Sequence, residues 1–542
     1  MYVLHIKNKK KEKIFVNHYL AESYRECGKV KRRIILKLDS WDAEKILRLE
    51  QALKKAKKDA ISVNLNQIEP CAGKNAGGIL VIQEIWNELG LDEIIGHSKM
   101  GSLVQLIVTA RLLTQGSRRH IVGWSKGEAV EEILGIEKIT TDDLYKALDW
   151  LDDQQIEIEH KLFQKIHQGL DLYLYDITSS YLEGQQNELA AYGYNRDGKR
   201  GKKQIVVGLV CDIMGSPVTT QVFEGNTIDS TTVESVIEKL KNRFEIRKIV
   251  LVGDRGMIKK TALKNRTSED WQFITAITKP QIEKLIRDET FQLSYFEEEL
   301  AEIFLEDGER YILRKNPVRA KEIQYNRNQK IKAIRDLVQE KNQYLRGSLR
   351  RGTTAALKAV ERKIKKLRME KLFELQLKER EISLSLFQEK LEELQKLDGC
   401  YVIKTDIEAE VMNKEVVHSR YKDLGKVETA FRNMKTFLLE LRPLYHRLAK
   451  RTRACVFVCM LAYKIAKVMQ DRLKEQQVIN DDSMESFKSC LDLIEKIQIA
   501  RYKIGKMEFK KLPTLLHSEQ EIILDALKVK LNFKESIVFV DE

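Results

Sequence analysis

Proline is scarce in this chain, six in 542 residues, and that scarcity argues against long Pro-rich linkers between its parts. The seven cysteines (Cys27, Cys71, Cys211, Cys400, Cys455, Cys459, Cys490) form no Cys-x-x-Cys pair, which speaks against a structural zinc and for a reduced compartment. Cys455 and Cys459 stand four apart on an expected helix with no second ligand pair, a spacing read as buried packing. No apolar run is long enough to span a membrane. The most apolar segment, "ACVFVCMLAYKIAKVM" at 454–469, is broken by Lys464 and Lys467 and reads as a core helix. The N-terminal "MYVLHIKNKKKEKIFV" carries charge where a signal peptide needs its apolar stretch, so export by that route is not expected.

What is present is globular: 43% apolar and 32% charged residues, over a length that calls for about two to four domains. The net charge of +14 favours a polyanionic partner, of which nucleic acid is the commonest, because lysines and arginines on phosphates release counterions.

Residues 1–70 mix strand-like runs with a charged helix and read as a small basic α+β module. In 71–168, apolar residues recur at helical spacing in "GILVIQEIWNELGL", "SLVQLIVTARLLTQG" and "TTDDLYKALDWLDDQ", giving a helical region expected to bind DNA. From 169 to 280 the pattern turns to strands: "LYLYDI", "KQIVVGLVCDI" and "PVTTQVFEG" as a meander, a helix, the continuous apolar strand "RKIVLVGD", a short helix, and "WQFITAI". Residues 281–398 interrupt this with a charged helical hairpin whose Leu357, Val360, Ile364 and Leu367 are spaced for packing, bounded by Gly347 and Gly352. Residues 399–471 add a last strand, "GCYVIKTD", and helices parted at Pro443, with Val427, Phe431, Met434 and Leu438 as an apolar stripe. A C-terminal helical tail, 472–542, completes the chain.

The strand order of 169–280 is the opening of a ribonuclease-H-like α/β fold, a mixed sheet flanked by helices. If the fourth strand lies beside the first, Asp176 and Asp254 sit on adjacent strands about 4.8 Å apart. A buried, unpaired carboxylate in "LDLYLYDITSSYLEG" is costly unless it has a use. Two strand aspartates and one helix glutamate, Glu428, are a donor set suited to divalent cations working on phosphodiesters. Singly, each has an ordinary explanation: Asp254 as a turn former, Glu428 as a solvated helix residue.

As a set, "YDITSSYLEG", "GYNRDGKRGKKQIVVGLV", "FEGNTIDSTT", "VLVGDRGM", "DGCYVIKTD", "YKDLGKVETAFRNMK" and "RPLYHR" resemble the DDE-type bacterial insertion-sequence transposases whose third acidic residue lies in a Tyr-Arg-Glu-Lys helix. The resemblance spans roughly 170–465 and implies catalytic, metal-binding roles for Asp176, Asp254 and Glu428. It also implies two Mg²⁺ ions, with Mn²⁺ able to substitute. Tyr421 and Lys435 match the signature's Tyr and Lys and are expected to hold the phosphate of the cut end. Leu424 stands where the signature has Arg, and Arg432, one turn beyond Glu428, is the candidate replacement. Arg255 is read either as a phosphate contact or as a partner of acidic neighbours. Asn226 and Asp229 are expected to support the site, although "DS" before "TTVESVIEKL" is also a plain helix start. "GYNRDGKR" has the spacing of a phosphate loop, but Arg200 replaces the required Ser or Thr and a strand follows, so ATP use is not expected. The implied partners are double-stranded DNA, as terminal inverted repeats and as target, and a second copy of the chain in a synaptic homodimer. No membrane is implied, and the setting is a bacterial cytoplasm, at the nucleoid. The rival readings are a nuclease of the same fold that never joins strands, and an inactive DNA-binding repressor.

Overall fold

A computed structural model describes residues 1–10, 13–26, 28–55, 68–167, 171–255, 257–258, 271–305, 308–348, 350–435, 439–480, 484–504, 507–512, 515–533 and 535–539. Cys27, Leu438 and the short helix expected before Trp271 lie outside the described residues. The chain forms two compact units, one of Met1–Gly73 with Ile499–Leu512 and Lys534–Glu542, the other of Lys74–Gln498 with Pro513–Phe533.

In the first unit, strands Tyr2–Lys10, Lys13–Glu26 and Lys29–Lys37 form an antiparallel sheet. Helix Ala43–Lys55 closes a small core of Val3, Leu38 and Ile46. A second sheet joins Ile68–Asn75 to Gln498–Ile504, Met507–Lys511 and Ser536–Phe539. The tail is therefore not simply helical: it contributes three strands beside its two helices, Met484–Glu495 and Ser518–Leu527. Those strands are short and charged, so their alternation is weak, and the first of them, Gln498–Ile504, pairs with a segment some 430 residues away, which no local pattern announces.

In the second unit, helix α1 (Lys99–Leu113) begins at Ser98, whose side chain accepts from Gly101 N, and α2 (Thr141–Leu162) at a capping box of Thr140 and Asp143. Helix α1 buries nearly every side from Leu103 to Leu113, so it needs partners all round. Helices α2 and α8 (Ala449–Glu475) supply them. Residues 74–167 thus share their core with the segment "ACVFVCMLAYKIAKVM" and do not stand apart from the sheet that follows.

That sheet has eight strands: β1 (Leu172–Tyr181), β2 (Gln204–Cys211), β3 (Pro217–Phe223), β4 (Ile249–Gly253), β5 (Trp271–Ala276), β6 (Ala301–Phe304), β7 (Arg310–Lys315) and β8 (Cys400–Thr405), in spatial order β6-β7-β8-β5-β4-β1-β2-β3. The first three strands are antiparallel, and β4 runs parallel to both β1 and β5. Tyr173, Tyr175 and Ile177 pack with Val233, Val236 and Leu240 of helix α3 (Asp229–Phe244). By the two-residue period, Leu174, Asp176 and Thr178 face the opposite side, where helix α7 (Leu424–Lys435) packs on β1.

Strands β6 and β7 come from the stretch read as an insertion, so the interruption off the sheet is smaller than 281–398. In "RYILRK", Tyr311 and Leu313 enter one core while Ile312 faces the other side, an alternation that fits a sheet strand rather than an appendage. What remains off the sheet is helix α4 (Pro317–Arg346), helix α5 (Thr353–Leu367), a two-stranded hairpin and a last short helix, sharing a core around Ile334, Leu345 and Val360. Its two ends are stapled together. Arg327 donates to Asp398 at 2.7 Å, and Gly399, at φ +75, lets the backbone close on Asn316, whose N–H reaches its carbonyl at 2.9 Å.

Between α2, β3 and α3 lies a buried ion pair. Glu159, fully buried, meets Lys239 at 2.9 Å and accepts from Thr219 Oγ1 at 2.8 Å. Glu159→Ala would strand the Lys239 ammonium in the interior and is expected to cost about 3–5 kcal/mol. The double variant Glu159→Leu/Lys239→Met should recover most of that loss, read from urea denaturation midpoints.

Candidate active site

The parallel pairing of β1 and β4 runs Leu172↔Val250, Tyr173↔Leu251, Leu174↔Val252, Tyr175↔Gly253. The next residue on each strand is an aspartate. Asp176 and Asp254 are therefore brought side by side at the carboxyl end of β4, at the spacing of neighbouring strands, about 4.8 Å. Asp254 is turned by its own loop: its Oδ1 accepts from Arg255 N at 2.7 Å, and Thr275 Oγ1 of β5 donates to its carbonyl at 3.3 Å.

The third carboxylate arrives from above the sheet. Helix α7 lays Val427, Ala430, Phe431 and Met434 against β1, which leaves Glu428 on its open face. Asp176, Asp254, Glu428, Tyr421 and Arg255 line one cleft of about 670 Å³. Burial pushes the Asp176 carboxyl up to about 7, helped by the charges of Asp254 and Glu428 and opposed by that of Arg196. Tyr421, at the end of helix α6 (Lys414–Lys422), has its hydroxyl pushed up by burial and by the Asp254 charge. Behind it, Tyr401 OH and His418 meet at 2.5 Å. His418 is driven down to about 4 by burial and the charges of Arg314 and Lys422, so at neutral pH it is an uncharged partner.

The other expected residues lie elsewhere. Lys435 is buried, donates to Thr178 Oγ1 at 2.8 Å and pairs with Asp197 at 2.6 Å, so its ammonium is held between α7 and β1 and is not among the lining residues. Arg432 is exposed on α7 and is not among the lining residues, whereas Leu424 is. Asp229 opens α3 and grips Arg196 with both oxygens at 2.6 Å, with Ile228 in the capping position. Asn226 is exposed and also outside the lining.

Sequence reasoning passed over two contributors. "GYNRDGKR", set aside as a false phosphate loop, is a hub: Arg196 faces Asp229 and acts on Asp176, while Asp197 joins Lys435 and Arg442. The first turns of α4 bring Asn316, Arg319 and Ile323 into the cleft wall, opposite Lys279, Arg255 and Lys422. The Asn-Pro start of α4 was readable as a cap, but its place beside β8 depends on a pairing across the whole insertion.

Among the described residues, no three His, Cys, Asp or Glu side chains stand close enough to ligate one ion as they are. The donor set nevertheless fits a hard divalent cation. It offers oxygen only, two carboxylates are adjacent by register, and the ionised form of Asp176 is penalised by burial and by two like charges that a cation would neutralise.

Residues 150–463 match the transposase DDE domain family, and residues 4–63 match the N-terminal domain of IS1634 family transposases. No curated protein matches the chain. Among solved structures, a cryo-EM structure of the piggyBac transposase synaptic complex with hairpin DNA aligns over 77% of each chain at 9% identity and a TM-score of 0.33, a likeness too distant to bear on the chemistry.

The Asp176 carboxyl lies above its ordinary value of 3.8 in the folded chain, at about 7. Ionising it therefore opposes folding: the cost is absent below pH 4, grows between pH 4 and 7, and is complete above that. In EDTA, Asp176→Asn is expected to raise the calorimetric Tm by a few degrees at pH 8 and by less at pH 5. Mg²⁺ should stabilise the wild-type chain at pH 8 and stabilise the variant much less.

Proposed function

The chain belongs to the DDE transposases of insertion sequences, enzymes that cleave DNA and join its strands, and on that premise we propose that Asp176, Asp254 and Glu428 are its metal-holding catalytic residues. The observation that carries this reading is the β1–β4 register, which sets Asp176 beside Asp254 under the helix bearing Glu428. Family membership implies dependence on a divalent metal and binding to DNA. Two Mg²⁺ ions are our finer assignment.

Bound divalent ions activate the attacking oxygen and take up the charge that develops on the leaving one. The chain supplies the rest. Asp176, Asp254 and Glu428 would hold the ions, the two aspartates from neighbouring strands and the glutamate from α7. In cleavage, a water oxygen bonds to phosphorus as the bond to the 3′ oxygen breaks; the water gives its proton to solvent, the leaving 3′ oxygen takes one from solvent to become a hydroxyl, and the phosphate stays on the 5′ side. In joining, the freed 3′ hydroxyl attacks a target phosphodiester in the same way. Arg255, Lys279 and Arg319 ring the cleft with positive charge suited to flanking phosphates, and we assign to Tyr421, which also lines it, the orienting of the cut end. Lys435, fixed by Asp197, ties α7 to β1 through Thr178.

We assign recognition of the terminal inverted repeats to the first unit. Its strand Lys29–Lys37 is exposed at every position and carries Lys29, Lys31, Arg32, Arg33 and Lys37. Bringing two ends together calls for a homodimer on DNA.

The test incubates purified protein with duplexes carrying the ends of its element and a target plasmid, in Mg²⁺ or EDTA. Metal-dependent cleavage and joining are expected. Asp176→Ala, Asp254→Ala and Glu428→Ala should each lower both by more than about 10³-fold, with end binding in gel-shift assays within about twofold of wild type. A variant that cuts at the normal rate removes its residue from the site, and cleavage without joined product would overturn the strand-transfer reading.

A further inference from the structure

A second cavity, of about 460 Å³, shares no lining residue with the carboxylate cleft. Its wall includes Arg111 of α1 and Arg118, which are only 6% and 4% exposed. Arg111 donates to the Leu439 carbonyl at 3.3 Å and to Cys455 Sγ at 3.8 Å. Arg118 Nη1 is fully buried with no hydrogen-bond partner among the described residues. The two guanidiniums are close enough that the charge of Arg111 disfavours that of Arg118.

A guanidinium cannot shed its proton to escape burial. An under-paired interior charge is costly, so Arg118, with the like charge of Arg111 beside it, calls for an anion in this cavity. Among the described residues the one carboxylate on this wall is Glu440, which is exposed and acts on Arg111; the Cys455 thiol, drawn well below its usual range by Cys459, His446 and Arg111, also faces Arg111, and neither group bonds Arg118 Nη1. Arg442, also on the wall, is engaged with Asp197. The cavity adjoins a larger one of about 660 Å³ through Tyr145, Tyr445 and His446, and Tyr445, 72% exposed, marks the way to solvent. Two planar forks in a space this size match a tetrahedral oxyanion better than a halide.

We propose that Arg111 and Arg118 form a buried binding site for a phosphate group, separate from the carboxylate cleft. The phosphate is either a DNA backbone phosphodiester or free inorganic phosphate. Through Arg442 and Asp197 the site is linked to Lys435 on the helix that carries Glu428. It does not depend on the catalytic assignment above, since the cavity and its arginines stand without it.

The experiment titrates inorganic phosphate into the full-length wild-type chain by calorimetry, in chloride buffer at constant ionic strength. Saturable binding is expected, weakened about tenfold or more by Arg118→Met. In phosphate-free buffer the variant should melt no lower than wild type, because it removes an unpaired buried charge. Absence of saturable binding to wild type overturns the proposal whether or not the variant folds, and so does a variant that binds phosphate as tightly as wild type. Should Arg118→Met fail to fold, Arg118→Lys replaces it: it keeps the charge but loses the fork, and unchanged affinity in it also overturns the proposal. Phosphate that displaces end DNA in EDTA, together with weaker DNA binding by the variant, identifies a DNA phosphodiester as the occupant. Phosphate binding that leaves DNA affinity untouched in both proteins identifies free phosphate.

Discussion

Two carboxylates side by side at the carboxyl end of a parallel strand pair are the constraint around which this catalytic unit is built. Neither burial nor mutual repulsion favours that arrangement: burial and its acidic neighbours hold Asp176 near pH 7. It persists because the strands beneath it are over-determined. β1 and β4 are buried between α3 on one face and α7 on the other, and a one-residue slip in their pairing would turn Tyr173, Tyr175 and Ile177 out of their core. The apolar register thus enforces the polar one, and the strain of the site is carried by the packing of the sheet.

The surroundings repeat this logic with charge. Asp197, 1% exposed, receives Lys435 and Arg442, so a loop, the end of the Glu428 helix and the segment after it meet at one buried carboxylate. Asp229 secures the same loop through Arg196, and Arg327 with Asp398 closes the base of the insertion against the cleft. Each of these acids looks like a surface residue in the sequence. In the fold they set where the cleft's cationic wall stands relative to its carboxylates, which is the geometry a polyanion would meet.

Much of the catalytic unit was legible in advance, for specific reasons. The apolar runs "LYLYDI" and "RKIVLVGD" have the composition of strands buried on both faces, and the stripe Val427, Phe431, Met434 has the period of a helix lying on a sheet. The cores that form are the ones those patterns imply. The edge of the sheet was less legible. β6 and β7 are short, and the strand that joins them to the rest of the sheet, β8, comes 85 residues after β7, so the same stretch reads equally well as part of an insertion. The strands of the tail were lost for the same reason. The replacement of the signature arginine turned on orientation: Arg432 has the right helical spacing from Glu428, yet the cleft is lined by Arg255 and Arg319, which come from other elements.

By itself, the sequence determined what depends on neighbours along the chain: which segments are strands or helices, which face of each is apolar, and that three acids sit on elements able to meet. Those properties follow from side-chain period and local backbone preference. Only the tertiary structure decided which charges pair, which arginines reach the cleft, that Lys435 is held between α7 and β1, and that Arg111 and Arg118 are buried together. Such outcomes depend on distances between residues hundreds of positions apart, and a Coulomb or desolvation energy is set by that separation and by exclusion of water, neither of which is written in local order.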